Sequence, residues 1–239
     1  MAERVLITGL GMVTAIGDDV AGNLKSLRMQ QSGIGFTQHI DTIYKDLLPV
    51  AEVRHSTMTL QEMAGLAGKD GYTRTTLLGL IAMREALADA GIADAGEEPT
   101  GFINASTVGG MCDTEKVYFD VINPEKEGDF LQYIDTLDCA DCTQRIADTV
   151  GISEYIATIS TACSSSANAL MFGARLIRAG LVRRVICGGT EALTSFTLNG
   201  FNSLKNIDKQ HCRPFDQHRN GLNLGEGAAY LVLESESFA

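Results

Sequence analysis

Apolar and polar positions alternate along the chain between short buried-type runs and helical stripes. Arg4 to Thr8 (Arg-Val-Leu-Ile-Thr) reads as a buried strand, with Gly9-Leu10-Gly11 behind it as a glycine turn. Residues 18–29 place Val20, Leu24 and Leu27 at helical spacing behind Asp18 and Asp19, which suit a helix N-terminus. Residues 30–45, with Gly33 and Gly35, read as loop. The clearest amphipathic helix covers 73–90, carries Leu77, Leu80, Ile81, Ala82, Leu87 and Ala90, and stops at Gly91. Gly101 to Ala105 predicts a strand. Residues 111–135 are mixed: Tyr118, Phe119, Phe130 and Tyr133 stand among charges, and Pro124 and Gly128 break the segment. It is expected to run over the surface or into a partner subunit. Residues 143–150 predict a helix and Tyr155 to Ser160 a strand.

Ala162-Cys163-Ser164-Ser165-Ser166 then leads into a segment that reaches Gly180 and is apolar on nearly every side, through Ala167, Ala169, Leu170, Met171, Phe172, Ala174, Leu176 and Ile177. A helix apolar all round is buried in the middle of something. Arg184 to Gly188 and Ala228 to Glu234 read as the last two strands. Strands alternating with helices predict an α/β fold of parallel βαβ units. No linker or repeat is evident, so residues 1–239 are expected to form one domain.

Composition narrows the function. The 239 residues carry a net charge of −11. That argues against nucleic acid or an anionic membrane as a general partner. There is no run long enough for a membrane span, and the N-terminus reads as a strand rather than a signal peptide, so a cytoplasmic protein is expected. In that compartment the six cysteines should be reduced. Cys139-x-x-Cys142 lacks the second ligand pair that a structural zinc site needs, and the simpler reading is a helical turn. Neither a metal nor an organic cofactor finds support.

Three motifs could carry chemistry. Gly9-x-Gly11 invites a dinucleotide reading, but Thr14 stands where the third glycine belongs, and no acidic residue closes a second strand about twenty residues on. A tight turn is the better reading. Cys187, inside an apolar strand, reads as a small core residue. Cys163 differs, because it lies where a strand ends and a buried helix begins. The free N–H groups and positive dipole end of that helix would stabilise a thiolate and could receive a thioester oxyanion. The third motif is Arg213-Pro-Phe-Asp216 with Gly225-Glu-Gly-Ala228. Glu226 could be a buried carboxylate that fixes a loop near the nucleophile; composition alone favours an ordinary turn. His39, His55, His211 and His218 read as surface or turn residues, so Cys163 has no evident base.

These residues resemble those of the elongating β-ketoacyl-acyl-carrier-protein synthases. The resemblance rests on Arg4-Val-Leu-Ile-Thr-Gly-Leu-Gly-Met-Val-Thr14 through Gly17, Ser160-Thr-Ala-Cys-Ser-Ser-Ser166, Gly188-Gly-Thr-Glu-Ala192, Asn199-Gly-Phe201 and the closing motif 213–228, in family order across nearly the whole chain. It implies a thiolase-type fold, with a mixed, mostly parallel sheet, helices on both faces and a buried nucleophile helix. It implies Cys163 as nucleophile, Phe201 as a residue lining the acyl pocket, and Tyr133 as a further pocket-lining aromatic. A second, similar half would follow residue 239 and carry two histidines, and the whole would be a homodimer. Ala15 and residues 111–135 depart from the family pattern, which leaves chain-length preference open.

The resemblance further implies transfer of an acyl group from a phosphopantetheine thiol to Cys163, then condensation with a decarboxylating malonyl thioester. The partner would be an acyl carrier protein, itself acidic, docking on a local basic patch. Arg175, Arg178, Arg183, Arg184, Lys205 and Arg213 are the candidates. Competing readings are a polyketide or aryl-polyene synthase, a degradative thiolase, which Gly225-Glu-Gly-Ala228 argues against, and a non-catalytic subunit that shapes a partner's pocket.

Overall fold

The computed structural model describes residues 3–239, without the side chain of residue 129. Met1 and Ala2, the start of the predicted N-terminal segment, lie outside it. Five strands form one sheet in the order β1-β5-β4-β2-β3. They are β1 (Val5–Thr14), β2 (Thr100–Ala105), β3 (Ile156–Ile159), β4 (Arg184–Glu191) and β5 (Gly227–Ser235). β2 pairs in parallel with β3 and with β4, whereas β5 lies antiparallel between β4 and β1. The sheet is therefore mixed. The mostly parallel expectation holds for the βαβ units of β2, β3 and β4. β1, at the edge, runs in the same direction as these three, so only β5 is reversed; it returns beside β4 through a connection built largely of turns.

Alternate strand residues point to opposite faces, and each face has its own core. Phe102, Ile186, Tyr230 and Val232 face α3 (Arg74–Asp89) and α5 (Cys139–Val150). Ile103, Val185, Cys187 and Leu233 face α6 (Ser165–Arg178). Helix α3 matches the predicted 73–90 span and is capped by Thr73, whose hydroxyl accepts from Thr76 N–H.

Gly9 and Gly11 make no turn. They lie within β1, which runs on to Thr14, and a Cβ at Gly11 would stand 2.0 Å from Ala82 O on α3. These glycines let strand and helix backbones touch, a role that leaves the same residues in the sequence as a turn does.

Helix α1 (Val20–Arg28) also departs from expectation: Leu24 and Leu27 are exposed, and the buried residues are Asn23 and Ser26. Asn23 Nδ2 donates to Gly17 O at 3.0 Å and Ser26 Oγ to Ile16 O at 2.6 Å, so this helix is attached through polar bonds. Helix α2 (Thr57–Met63) follows, capped by Ser56. The mixed segment resolves into α4 (Met111–Val121) and two 3-10 turns, Asp129–Tyr133 and Asp135–Leu137. Tyr118, Phe119, Ile122, Leu131 and Ile134 are exposed on it, as a surface excursion requires. Helix α7 (Ser195–Ser203) precedes the long connection to β5.

Helix α6 is buried on one face only. Ala169, Gly173, Leu176 and Ile177 pack on the sheet while Ala167 and Met171 are exposed. The sheet can cover only one side of a helix, so in this chain the expected all-round burial is not reached.

Candidate active site

A short elbow, Ala162–Ser164, joins β3 to α6. Ala162 holds φ at 54°, a left-handed conformation that is uncommon for a residue with a Cβ. Neighbouring hydroxyls stabilise it. Ser165 Oγ donates to Ala162 O at 2.7 Å and accepts from Thr161 N–H at 2.8 Å. Ser164 Oγ donates to Thr161 O at 2.8 Å, and Asn168 Nδ2 donates to Thr161 Oγ1 at the same distance. The serine-rich stretch thus fixes the turn that lifts Cys163 out of the sheet, and Cys163 is exposed. Among the described residues, no side chain caps the first turn of α6 beside it.

Cys163 lies on the wall of an open cavity of about 430 Å³ at the carboxyl ends of β2 and β4. Val108, Ser166, Gly189, Glu191 and Phe201 line it too. Cys163 and Phe201 are therefore brought together. Tyr133 does not line this cavity; it sits in a 3-10 turn, and its carbonyl accepts from Thr114 Oγ1 and Thr136 Oγ1. A Cβ at Gly189 would meet Ser166 Oγ at 2.7 Å and Ala105 O at 2.9 Å, so α6 and β2 both crowd β4 here. No described histidine lines the cavity. His55 pairs with Asp18 at 2.9 Å and His39 Nε2 lies 3.1 Å from Arg54 O.

Two carboxylates shape the surroundings. Glu191, at the end of β4, accepts from Thr107 N–H at 2.7 Å, Ser106 Oγ at 3.1 Å and Val108 N–H at 3.3 Å. It thereby fixes the 106–108 loop, which lines the same cavity as Phe201. Its only sequence signal was its place in Gly188-Gly-Thr-Glu-Ala192. Glu226 is the buried carboxylate that composition had favoured as a turn residue. It accepts from Val53 N–H at 2.9 Å and Leu193 N–H at 3.1 Å, and its ion pair with Arg74 is buried.

The basic candidates are spread over several elements. Arg183 pairs with Glu98 and Arg184 with Glu234, and both lie over the Phe238 ring. They stand at the start of β4, roughly 23 Å along the strand from the cavity at its end. Arg213 donates to His218 O at 2.6 Å. Arg175 and Arg178 project from the last turn of α6, and Lys205 follows α7.

The cysteines differ sharply in availability. Burial pushes the Cys142 and Cys187 thiols up to about 12 and raises Cys112 well above its ordinary value, with Asp113 adding to the effect. Burial, and then the Glu191 charge, raise Cys139 as well. A raised thiol pKa means less thiolate at a given pH and slower alkylation. At about pH 8, iodoacetamide should therefore label Cys163 and the half-buried Cys212 and spare the other four, as read by peptide mass spectrometry. Equal labelling of Cys187 would contradict this ordering.

The same residues can be compared with known proteins. The chain is 32 % identical over 259 residues to the tetracenomycin polyketide synthase ketoacyl synthase alpha subunit of Streptomyces glaucescens, covering 99 % of this chain and 59 % of that protein. It is 27 % identical over 243 residues to 3-oxoacyl-[acyl-carrier-protein] synthase 2 of Staphylococcus aureus (strain N315), covering 98 % of this chain and 58 % of the relative. Among solved structures it superposes on the ishigamide ketosynthase/chain length factor with a TM-score of 0.90 at 26 % identity, over 100 % of this chain and 60 % of the other. The chain thus spans 58–59 % of the length of these curated relatives. The model of the β-ketoacyl synthase N-terminal domain matches residues 2–239. With its thiolase-like fold and a cysteine raised on the elbow before α6, this chain belongs to the β-ketoacyl synthase family as its N-terminal domain.

Proposed function

We propose that Cys163 is the acyl-accepting nucleophile of a 3-oxoacyl-acyl-carrier-protein synthase acting in fatty acid biosynthesis. The observation that carries this reading is the exposed thiol on the Ala162–Ser164 elbow, on the wall of a cavity that Phe201 also lines. In the first stage Sγ attacks the thioester carbonyl of an acyl-pantetheine, and the pantetheine thiol leaves. In the second, a malonyl thioester loses carbon dioxide, and its carbanion attacks the acyl-enzyme and frees the Cys163 thiol. The groups that assist this second stage are proposed to be two histidines supplied from outside residues 1–239, since no described histidine lines the cavity. Residues 1–239 alone are then expected to accept an acyl group slowly and not to condense it.

The proposed partner is an acyl carrier protein, and a homodimer is the proposed assembly. Lys205, just beyond the helix that carries Phe201, and Arg213 are the stronger candidates for carrier docking, because Arg175, Arg178, Arg183 and Arg184 lie at the ends of α6 and β4 remote from the cavity. A second reading, the same chemistry on a polyketide chain, is favoured by the 32 % identity to the tetracenomycin subunit. A non-catalytic subunit is disfavoured by the presence of Cys163.

The test is intact and peptide mass spectrometry of the full-length protein after incubation with an acyl-pantetheine thioester. The expected result is one acyl adduct, on the Cys163 peptide. A folded full-length protein that takes up no acyl group would make the non-catalytic subunit the better reading.

A further inference from the structure

Helix α7 carries Phe201 beside the Cys163 cavity and makes few apolar contacts within residues 3–239. Leu198 is its one buried residue, and it packs in a small cluster with Ile40, Val50 and Leu193. Beyond the cavity of about 430 Å³ on the Phe201 side, a second cavity of about 350 Å³ opens at the other end of α7, against Leu193, Ser195, His39 and α4. Within residues 3–239, polar bonds at its N-terminus, among them Ser195 Oγ to Asp41 O at 2.9 Å, add to the few apolar contacts that position α7.

A charged side chain supplies what packing does not. Glu115, on α4, accepts from Ser195 N–H with Oε1 at 2.8 Å and from Phe196 N–H with Oε2 at 3.1 Å. These are first-turn amides of α7, which have no partner within the helix, and negative charge there is favoured by the helix dipole. Helix α4 in turn grows out of the loop of Thr107 and Val108, the cavity wall fixed by Glu191. One carboxylate therefore ties the helix bearing Phe201 to the element bearing Val108.

We infer that Glu115 is a positioning residue, which holds α7 at a set distance from the Val108 wall and so selects the acyl chains that reach Cys163. The inference rests on the reading that the acyl chain lies against Phe201, and its test separates the two. Amide hydrogen exchange over residues 195–204 should speed up by about tenfold or more in Glu115→Ala and leave α6 unchanged, a readout that needs no acyl transfer. The ratio of long- to short-chain acylation at Cys163 in the full-length protein should shift by about fivefold or more. That shift should vanish when Phe201→Ala is already present, because both changes act on one wall. Glu115→Gln, which keeps one acceptor and the side-chain size, should fall between wild type and Glu115→Ala, and it serves if the alanine variant does not fold.

Unchanged exchange in α7 would overturn the tether whatever the acyl reading. Faster exchange with an unchanged length ratio, where Phe201→Ala alone alters that ratio, would overturn the selecting role. Absence of any adduct on wild type would remove the acyl reading and this inference with it.

Discussion

Replacing Cys163 by alanine should reduce acyl transfer by at least about a thousandfold while leaving the fold intact. The two halves of that expectation come from the same geometry. The thiol is exposed on its elbow, so removing Sγ opens no core cavity and frees no buried partner. Surface changes of this kind typically alter stability by less than about 0.5 kcal/mol. The elbow itself is held by Ser164, Ser165 and Thr161, none of which needs Sγ. Activity has no such reserve. Cys112, Cys142 and Cys187 are buried with raised pKa values, and Cys212 does not line the cavity. Acylation rates for both proteins, with a thermal melt of each, make the comparison. An adduct that persists in the variant, on Ser164 or Cys212, would sink the assignment of the nucleophile.

What was legible in the sequence follows from which interactions are local. Helix α3 could be read because its apolar stripe, its Thr73 cap and its stop at Gly91 lie within one stretch. β2 and β4 could be read because strands largely buried on both faces are apolar runs. Cys163 stood out because a strand end, small residues and a helix start are adjacent in the chain. Glu115 and Glu191 were missed because their partners lie 80 to 85 residues away. A carboxylate that accepts from distant main-chain amides has the same sequence signature as a solvated charge. The apolar spacing of Leu24 and Leu27 does not show how α1 attaches, because the bonds that hold it come from Asn23 and Ser26. Tyr133 is implied as a pocket residue by the family resemblance alone, and it does not line the Cys163 cavity of its own chain.

The fold depends on such a long-range carboxylate most at Glu226, and Arg74→Met is expected to cost about 3–5 kcal/mol of folding stability. The two side chains are 4 % and 0 % exposed. Arg74 Nε donates to both Glu226 oxygens, at 3.1 and 3.0 Å, Nη1 to His55 O at 2.9 Å and Nη2 to Val53 O at 3.0 Å. Burial works against the Arg74 charge, but the hydrogen bond and charge of Glu226 outweigh it and raise the guanidinium pKa. Methionine fills much of the same volume but leaves a buried carboxylate without its cation and two carbonyls without donors. Leu193 N–H, which leads into α7, is held by the same carboxylate, so the loss should reach the Phe201 wall as well. Urea unfolding of wild type, Arg74→Met, Glu226→Gln and the double variant measures this. Glutamine keeps a carbonyl for one of the Val53 and Leu193 amides and carries no charge. The double variant should therefore be more stable than Arg74→Met alone, although a residue has been removed from each side of the pair. If the double variant were instead the least stable of the four, the cost would lie in packing around Arg74 and not in the stranded charge.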